Sequence, residues 1–113
     1  MAGSYAEAPV LLWTNASPDS AFAAQTVTVS GSGYSAYIIE CKSNTTFSTA
    51  TSRTLVNIGS SAYLSATHSY GNDHSRSLDS TTSTSLTFGI GRSTRDSDKA
   101  CIPKRIWGVK FAL

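Results

Sequence analysis

The clearest hydrophobic pattern along this chain is strict alternation. Ser85-Leu86-Thr87-Phe88-Gly89-Ile90 places Leu86, Phe88 and Ile90 on one side and small or hydroxyl-bearing residues on the other. That is the pattern of a half-buried strand. Thr26-Val27-Thr28-Val29-Ser30 repeats it, with two valines set between hydroxyls. Ala36-Tyr37-Ile38-Ile39-Glu40-Cys41 is the most continuously apolar run and reads as a central strand. Shorter runs over Val10–Thr14, Thr54–Ile58 and Ala62–Ser69 read as further strands. The last run, Ala100 to Phe111, carries apolar groups on both sides and is entered through Pro103, whose missing N–H costs least at a strand start. Gly108 inside it predicts a bulge or a close backbone approach.

Turn signals separate these runs. Asn15-Ala16-Ser17-Pro18-Asp19-Ser20 is the strongest: Pro fixes its own φ, and Asp or Ser bonds neighbouring amides. Gly31–Ser35 and Gly59-Ser60-Ser61 are others. Lys42 to Arg53 reads as a loop or a wet edge strand, and Tyr70–Thr84 and Gly91–Lys99 as polar connections. Residues 16–25 hold one helical turn at most. Seven or eight short strands with no helix-period segment predict an all-β fold, an antiparallel β-sandwich of jelly-roll-like form. Residues 1–8 read as a leader or linker remnant, and 9–113 as a single domain.

Composition agrees with that class. Charged residues make up 14% of the chain, against roughly 25% in an ordinary soluble protein. Serine and threonine, 34 of 113 residues, fill the gap and give a neutral, hydroxyl-rich surface. A net charge of +2 argues against a nucleic-acid partner. The basic group Arg92, Arg95, Lys99, Lys104 and Arg105 lacks the interleaved aromatics that single strands stack on. No window approaches ~20 apolar residues, so no membrane insertion by a helix is expected. Cys41 and Cys101 fit no zinc spacing. They read as buried thiols, with a disulfide open if their strands are neighbours.

Candidate chemistry is sparse. Histidine occurs only at 68 and 74, and no Gly-x-Ser-x-Gly elbow is present, so a Ser-His-Asp hydrolase is not expected. Of the seven acids, Glu7 falls in the leader and Asp19 in a turn, so paired glycosidase carboxylates are not expected either. Asp96-Ser97-Asp98 reads as solvated rather than as a calcium site. The expectation is therefore a non-enzymatic chain with no cofactor and no metal. The sequons at Asn15 and Asn44 are expected to be coincidental in so Ser/Thr-rich a chain.

The best ligand candidate is Ser69-Tyr70-Gly71-Asn72-Asp73-His74-Ser75-Arg76-Ser77. Tyr70, Asn72, Asp73, His74 and Arg76 gather a ring, an amide, a carboxylate, an imidazole and a guanidinium, the mixture that recognises sugars. The plainer reading is a hydrophilic hairpin loop. Trp13, Trp107 and Tyr37 are expected in the core; Tyr34 and Tyr63 stay open.

Two end segments carry a family resemblance. Leu12-Trp13-Thr14-Asn15-Ala16-Ser17-Pro18 through Phe22-Ala23-Ala24-Gln25-Thr26-Val27, with Gly33-Tyr34 and Tyr37-Ile38-Ile39-Glu40, and the ending Ile102-Pro103-Lys104-Arg105-Ile106-Trp107-Gly108-Val109-Lys110, resemble the C-terminal head or tip domain of bacteriophage tail-fibre and receptor-binding proteins. The likeness covers about a third of the chain. Over 42–99 it extends only to strand length. It implies adhesion to a bacterial cell-surface glycan, a host-surface saccharide as partner, a homotrimer, and a place at the virion tail tip after synthesis in the bacterial cytoplasm. The alternatives are a trimerisation or cap domain that touches no receptor, and a carbohydrate-binding module of a bacterial protein.

Overall fold

The computed structural model describes residues 8–31, 33–42, 51–67, 73–91 and 101–111, and at 66, 67, 73–75, 90 and 91 the backbone alone. Eight strands form: β1 (Val10–Thr14), β2 (Gln25–Thr28), β3 (Ala36–Lys42), β4 (Thr51–Asn57), β5 (Ala62–Thr67), β6 (Asp73–Thr81), β7 (Ser85–Gly91) and β8 (Ile102–Val109). They make two four-stranded antiparallel sheets, ordered β1-β8-β3-β4 and β2-β7-β6-β5. The chain crosses between sheets at β1/β2, β2/β3, β4/β5 and β7/β8. It stays within one sheet for the pair β3–β4 and for the meander β5–β6–β7. The expected all-β sandwich is what forms.

Alternation explains the core. Tyr37, Ile39 and Cys41 of β3 and Ile102 and Ile106 of β8 point inward from the first sheet. Val27, Leu64, Leu78, Leu86 and Phe88 face them from the second. The β1–β2 connection contributes Phe22, whose ring packs edge-on against Trp13 (6.1 Å between centroids) and Phe88 (5.5 Å). Both contacts lie in the range favoured by the ring quadrupoles.

The turn chemistry works as its residues dictate. Ser20 N–H donates to the Ser17 carbonyl at 3.1 Å, closing the Pro18-Asp19 turn. Asn15 is a structural residue: its amide donates to Pro103 O at 2.9 Å and its Oδ1 accepts from Ser17 N–H at 2.8 Å. Gly59, at φ +91°, occupies the left-handed region after β4. Its N–H and that of Ser60 both donate to the buried Thr81 hydroxyl, at 2.9 and 3.2 Å. That pins the β4–β5 turn to the end of β6. Pro103 sits opposite Cys41, beside a register shift between Glu40 and Cys41, so its missing N–H falls where the ladder is already irregular.

The edge-strand reading holds from Thr51, which opens one strand running to Asn57 and paired along its whole length with β3. Two expectations change. Tyr70–Thr84 is largely strand, because β6 starts at Asp73. Its alternation is hidden in sequence because one inward position is an arginine. Trp107 is not a core residue. It lies on the outer face of β8, where it pairs laterally with Leu11 and Ile38, and Ile38 in turn with Leu55.

Candidate functional site

The segment expected to bind ligand divides. Tyr70 and Asn72 lie outside the described residues, and of Asp73 and His74 only the backbone, in β6, is described. Arg76 is buried completely. Its Nε donates to Cys101 O at 2.9 Å, Nη1 to Gly89 O at 2.6 Å and Nη2 to Phe22 O at 2.5 Å. The guanidinium carbon lies 5.2 Å from the centre of the Phe22 ring. A guanidinium has five donors in a rigid fork, and this one joins three chain segments that share no ladder. Arg76 therefore holds the fold together from inside, and the expectation that it meets a sugar at the surface is corrected.

The opposite faces of the same strand do present a groove. Because Arg76 and Leu78 point inward, Ser77 and Asp79 of β6 point outward, beside Tyr63 of β5, which pairs directly with Ser77. Ser61, Ala62, Tyr63, Ser77, Leu78 and Asp79 line a groove of about 330 Å³. Tyr63 is 60% exposed. Ser77 Oγ donates to Asp79 Oδ1, which fixes the carboxylate on the groove wall. Gly89 of β7 makes room for it. A Cβ at Gly89 would fall 2.8 Å from Asp79 Oδ2 and 3.1 Å from Ser77 Cβ. Further across this face, Thr26 and Thr87 bond hydroxyl to hydroxyl at 3.1 Å.

This arrangement offers an apolar ring face, a held carboxylate and a field of hydroxyls. Of its residues only Ser77 belongs to the segment singled out from sequence. Tyr63 stays open on sequence alone, and Asp79 is there one of seven acids without a partner to single it out. The signal that could have found them is the alternation in Arg76-Ser77-Leu78-Asp79, once Arg76 is counted as an inward residue.

The other sheet carries a different outer surface. Leu11, Trp107, Ile38 and Leu55 form one cross-strand row over β1-β8-β3-β4, with Leu11 52% and Leu55 47% exposed. The next row is ionic. Glu40, buried at its carboxylate, lies between Arg53 Nε (3.3 Å) and Arg105 Nη1 (3.4 Å). The Arg53 guanidinium also covers the Trp107 ring at 4.5 Å from its centre. Fold and surface together define a small antiparallel β-sandwich with one hydroxyl-rich grooved face and one apolar-ionic face. Neither protein-family models, curated proteins nor solved structures gave a match to this chain.

Proposed function

We propose that this chain is the tip domain of a phage tail fibre or receptor-binding protein, and that it adheres, without catalysis, to a glycan on a bacterial cell surface. The groove beside Tyr63 carries the reading. An exposed ring can lie under a sugar face while Asp79 and the neighbouring hydroxyls bond its hydroxyl groups. Such a site is weak singly and gains by repetition, which is what a homotrimer at a tail tip provides. The end-segment resemblance supports the assignment to tail fibres. Glycan-array and whole-cell binding test it, with Tyr63→Ala and Asp79→Asn as variants. Both positions are at the surface, so the variants keep the fold. The expected result is a loss of binding of at least about tenfold in each. Unchanged binding in both would remove the site.

The Leu11–Trp107–Ile38–Leu55 row supports a second reading, a trimerisation or cap domain that touches no receptor. A continuous apolar row beside ion pairs is the composition of an association surface. Light scattering on Leu11→Asp and Leu55→Asp separates the two. On the cap reading, these changes dissociate the assembly and no glycan binds the wild type.

A further inference from the structure

We propose that Cys41 and Cys101 are a disulfide-forming pair, joined by oxidation with a small-molecule disulfide, and that the bond staples β3 to the segment entering β8. The two residues are sixty positions apart in sequence. In the fold they are diagonal neighbours. Cys41 stands opposite Pro103, and Cys101 lies two residues before Pro103. Both are free thiols, both are buried, and both belong to the same core cluster. The Cys101 side chain raises the Cys41 thiol and the Cys41 side chain lowers the Cys101 thiol, so the two groups lie within reach of each other. Cys101 Sγ in turn lies 3.7 Å from Leu64 O, which can accept its proton. Both side chains turn into the same core from neighbouring positions of the β3–β8 ladder, the side-by-side placement that a bridge requires. The register of β3 against β8 shifts between Glu40 and Cys41, immediately beside the pair.

The surroundings favour the chemistry. Arg76 fixes the Cys101 backbone through its carbonyl, and its positive charge favours the thiolate of either cysteine. The Cys101 thiol is pulled below its ordinary range by the hydrogen bond from Cys41 and by Arg76, against burial. Cys101 is therefore the first nucleophile. Its thiolate attacks one sulfur of the small disulfide, forms a mixed disulfide and releases one thiolate. Cys41 then gives its proton to that thiolate, and its sulfur attacks the Cys101 sulfur and expels the second. Two protein thiols are oxidised and one disulfide is reduced to two thiols. Because both sulfurs are buried in the folded domain, the exchange takes place late in folding, with Arg76 and the two thiols already together and the core still open to the small disulfide. The closed loop is long, which is where a cross-link restricts the unfolded chain most.

The test is refolding of the reduced, denatured chain into a mixture of reduced and oxidised glutathione, with a parallel refolding under reductant. The expected oxidised product is lighter by two hydrogen atoms, has no thiol titratable in denaturant, and gives a 41–101 linked peptide after digestion. Its urea midpoint is shifted upward, and reductant returns the midpoint to that of the parallel sample. Cys101→Ala, carried through the same steps, shows no upward shift. Two titratable thiols after oxidative refolding would overturn the proposal, as would glutathione adducts or intermolecular dimers in place of the internal bond.

Discussion

Arg76 and Phe22 are joined twice: Nη2 of Arg76 donates to the Phe22 carbonyl at 2.5 Å, and the guanidinium carbon stands 5.2 Å from the centre of the Phe22 ring. Phe22 lies in the β1–β2 connection, so this one side chain ties an irregular segment to the meander. Replacing Arg76 with Met keeps the length and removes every donor. Three carbonyls, those of Phe22, Gly89 and Cys101, then lose a charged partner inside the core. Each buried unsatisfied group costs about 1–3 kcal/mol, so a total of about 4 kcal/mol or more is expected from urea unfolding. Arg76→Lys recovers little of this, because one ammonium cannot span three diverging acceptors. A loss below about 1 kcal/mol in Arg76→Met would show that the core can spare the fork.

Gly108 is set by a ring. A Cβ placed there would meet Tyr34 at 2.7 Å from Cδ1 and 2.8 Å from Cε1. This is the close approach that a glycine inside the last strand predicts, and the approaching group is a side chain. Gly108→Ala is expected to cost about 1–3 kcal/mol through overpacking. In a Tyr34→Ala background the same change should cost almost nothing, so the double-mutant cycle yields a coupling nearly equal to the single penalty. Additive losses would place the strain elsewhere.

Glu40 answers to two arginines whose other ends reach water. Arg53 is 59% exposed at its side chain and Arg105 39%, while Glu40 is only 7% exposed. Solvent screening reduces what each pair contributes. Glu40→Gln keeps the shape and leaves two guanidinium groups without their carboxylate. The expected loss is about 1–2 kcal/mol, smaller than for a fully buried pair. It should shrink further when the measurement is repeated in high salt. A loss that grows with salt would contradict the ionic account.

Most of the fold was legible because strand alternation is local. Val27, Leu86 and Phe88 sit inside, as their period demands, and Val10–Thr14 forms the strand that its apolar run predicts. What was hidden depended on partners distant in sequence. Arg76 looks like a surface group until the three carbonyls from residues 22, 89 and 101 converge on it. Trp107 looks like core, because nothing local says that its strand is covered on the opposite side by Ile106. The groove was half legible for the same reason: Ser77 was within the segment singled out, whereas Tyr63 and Asp79 join it only through the β5–β6 register.

The buried acids of the core make the domain sensitive to alkali. The Cys41 thiol is pushed well above its ordinary 9.0, first by its hydrogen bond to Cys101 and then by burial. Tyr37 is raised above 10.0, first by burial and then by the neighbouring Tyr34. Its hydroxyl also donates to Thr82 O at 2.6 Å, a bond the phenolate cannot make. In both cases the folded chain holds its proton more tightly than the unfolded one. Their stabilising contribution is therefore complete below the unfolded values and drains away as pH rises past them. Cys101 is shifted the other way, so its contribution is complete above 9.0 and cannot offset the decline. Under reductant, the urea midpoint should rise towards about pH 9 as Cys101 ionises, fall above it, and steepen above about pH 10. Cys41→Ala should postpone the fall to the tyrosine range. Tyr37→Phe should lower the maximum by about 1 kcal/mol, through the unpaired Thr82 carbonyl, and remove the steep upper limb. A wild-type midpoint that stays level to about pH 11 would mean that neither proton is held by the fold.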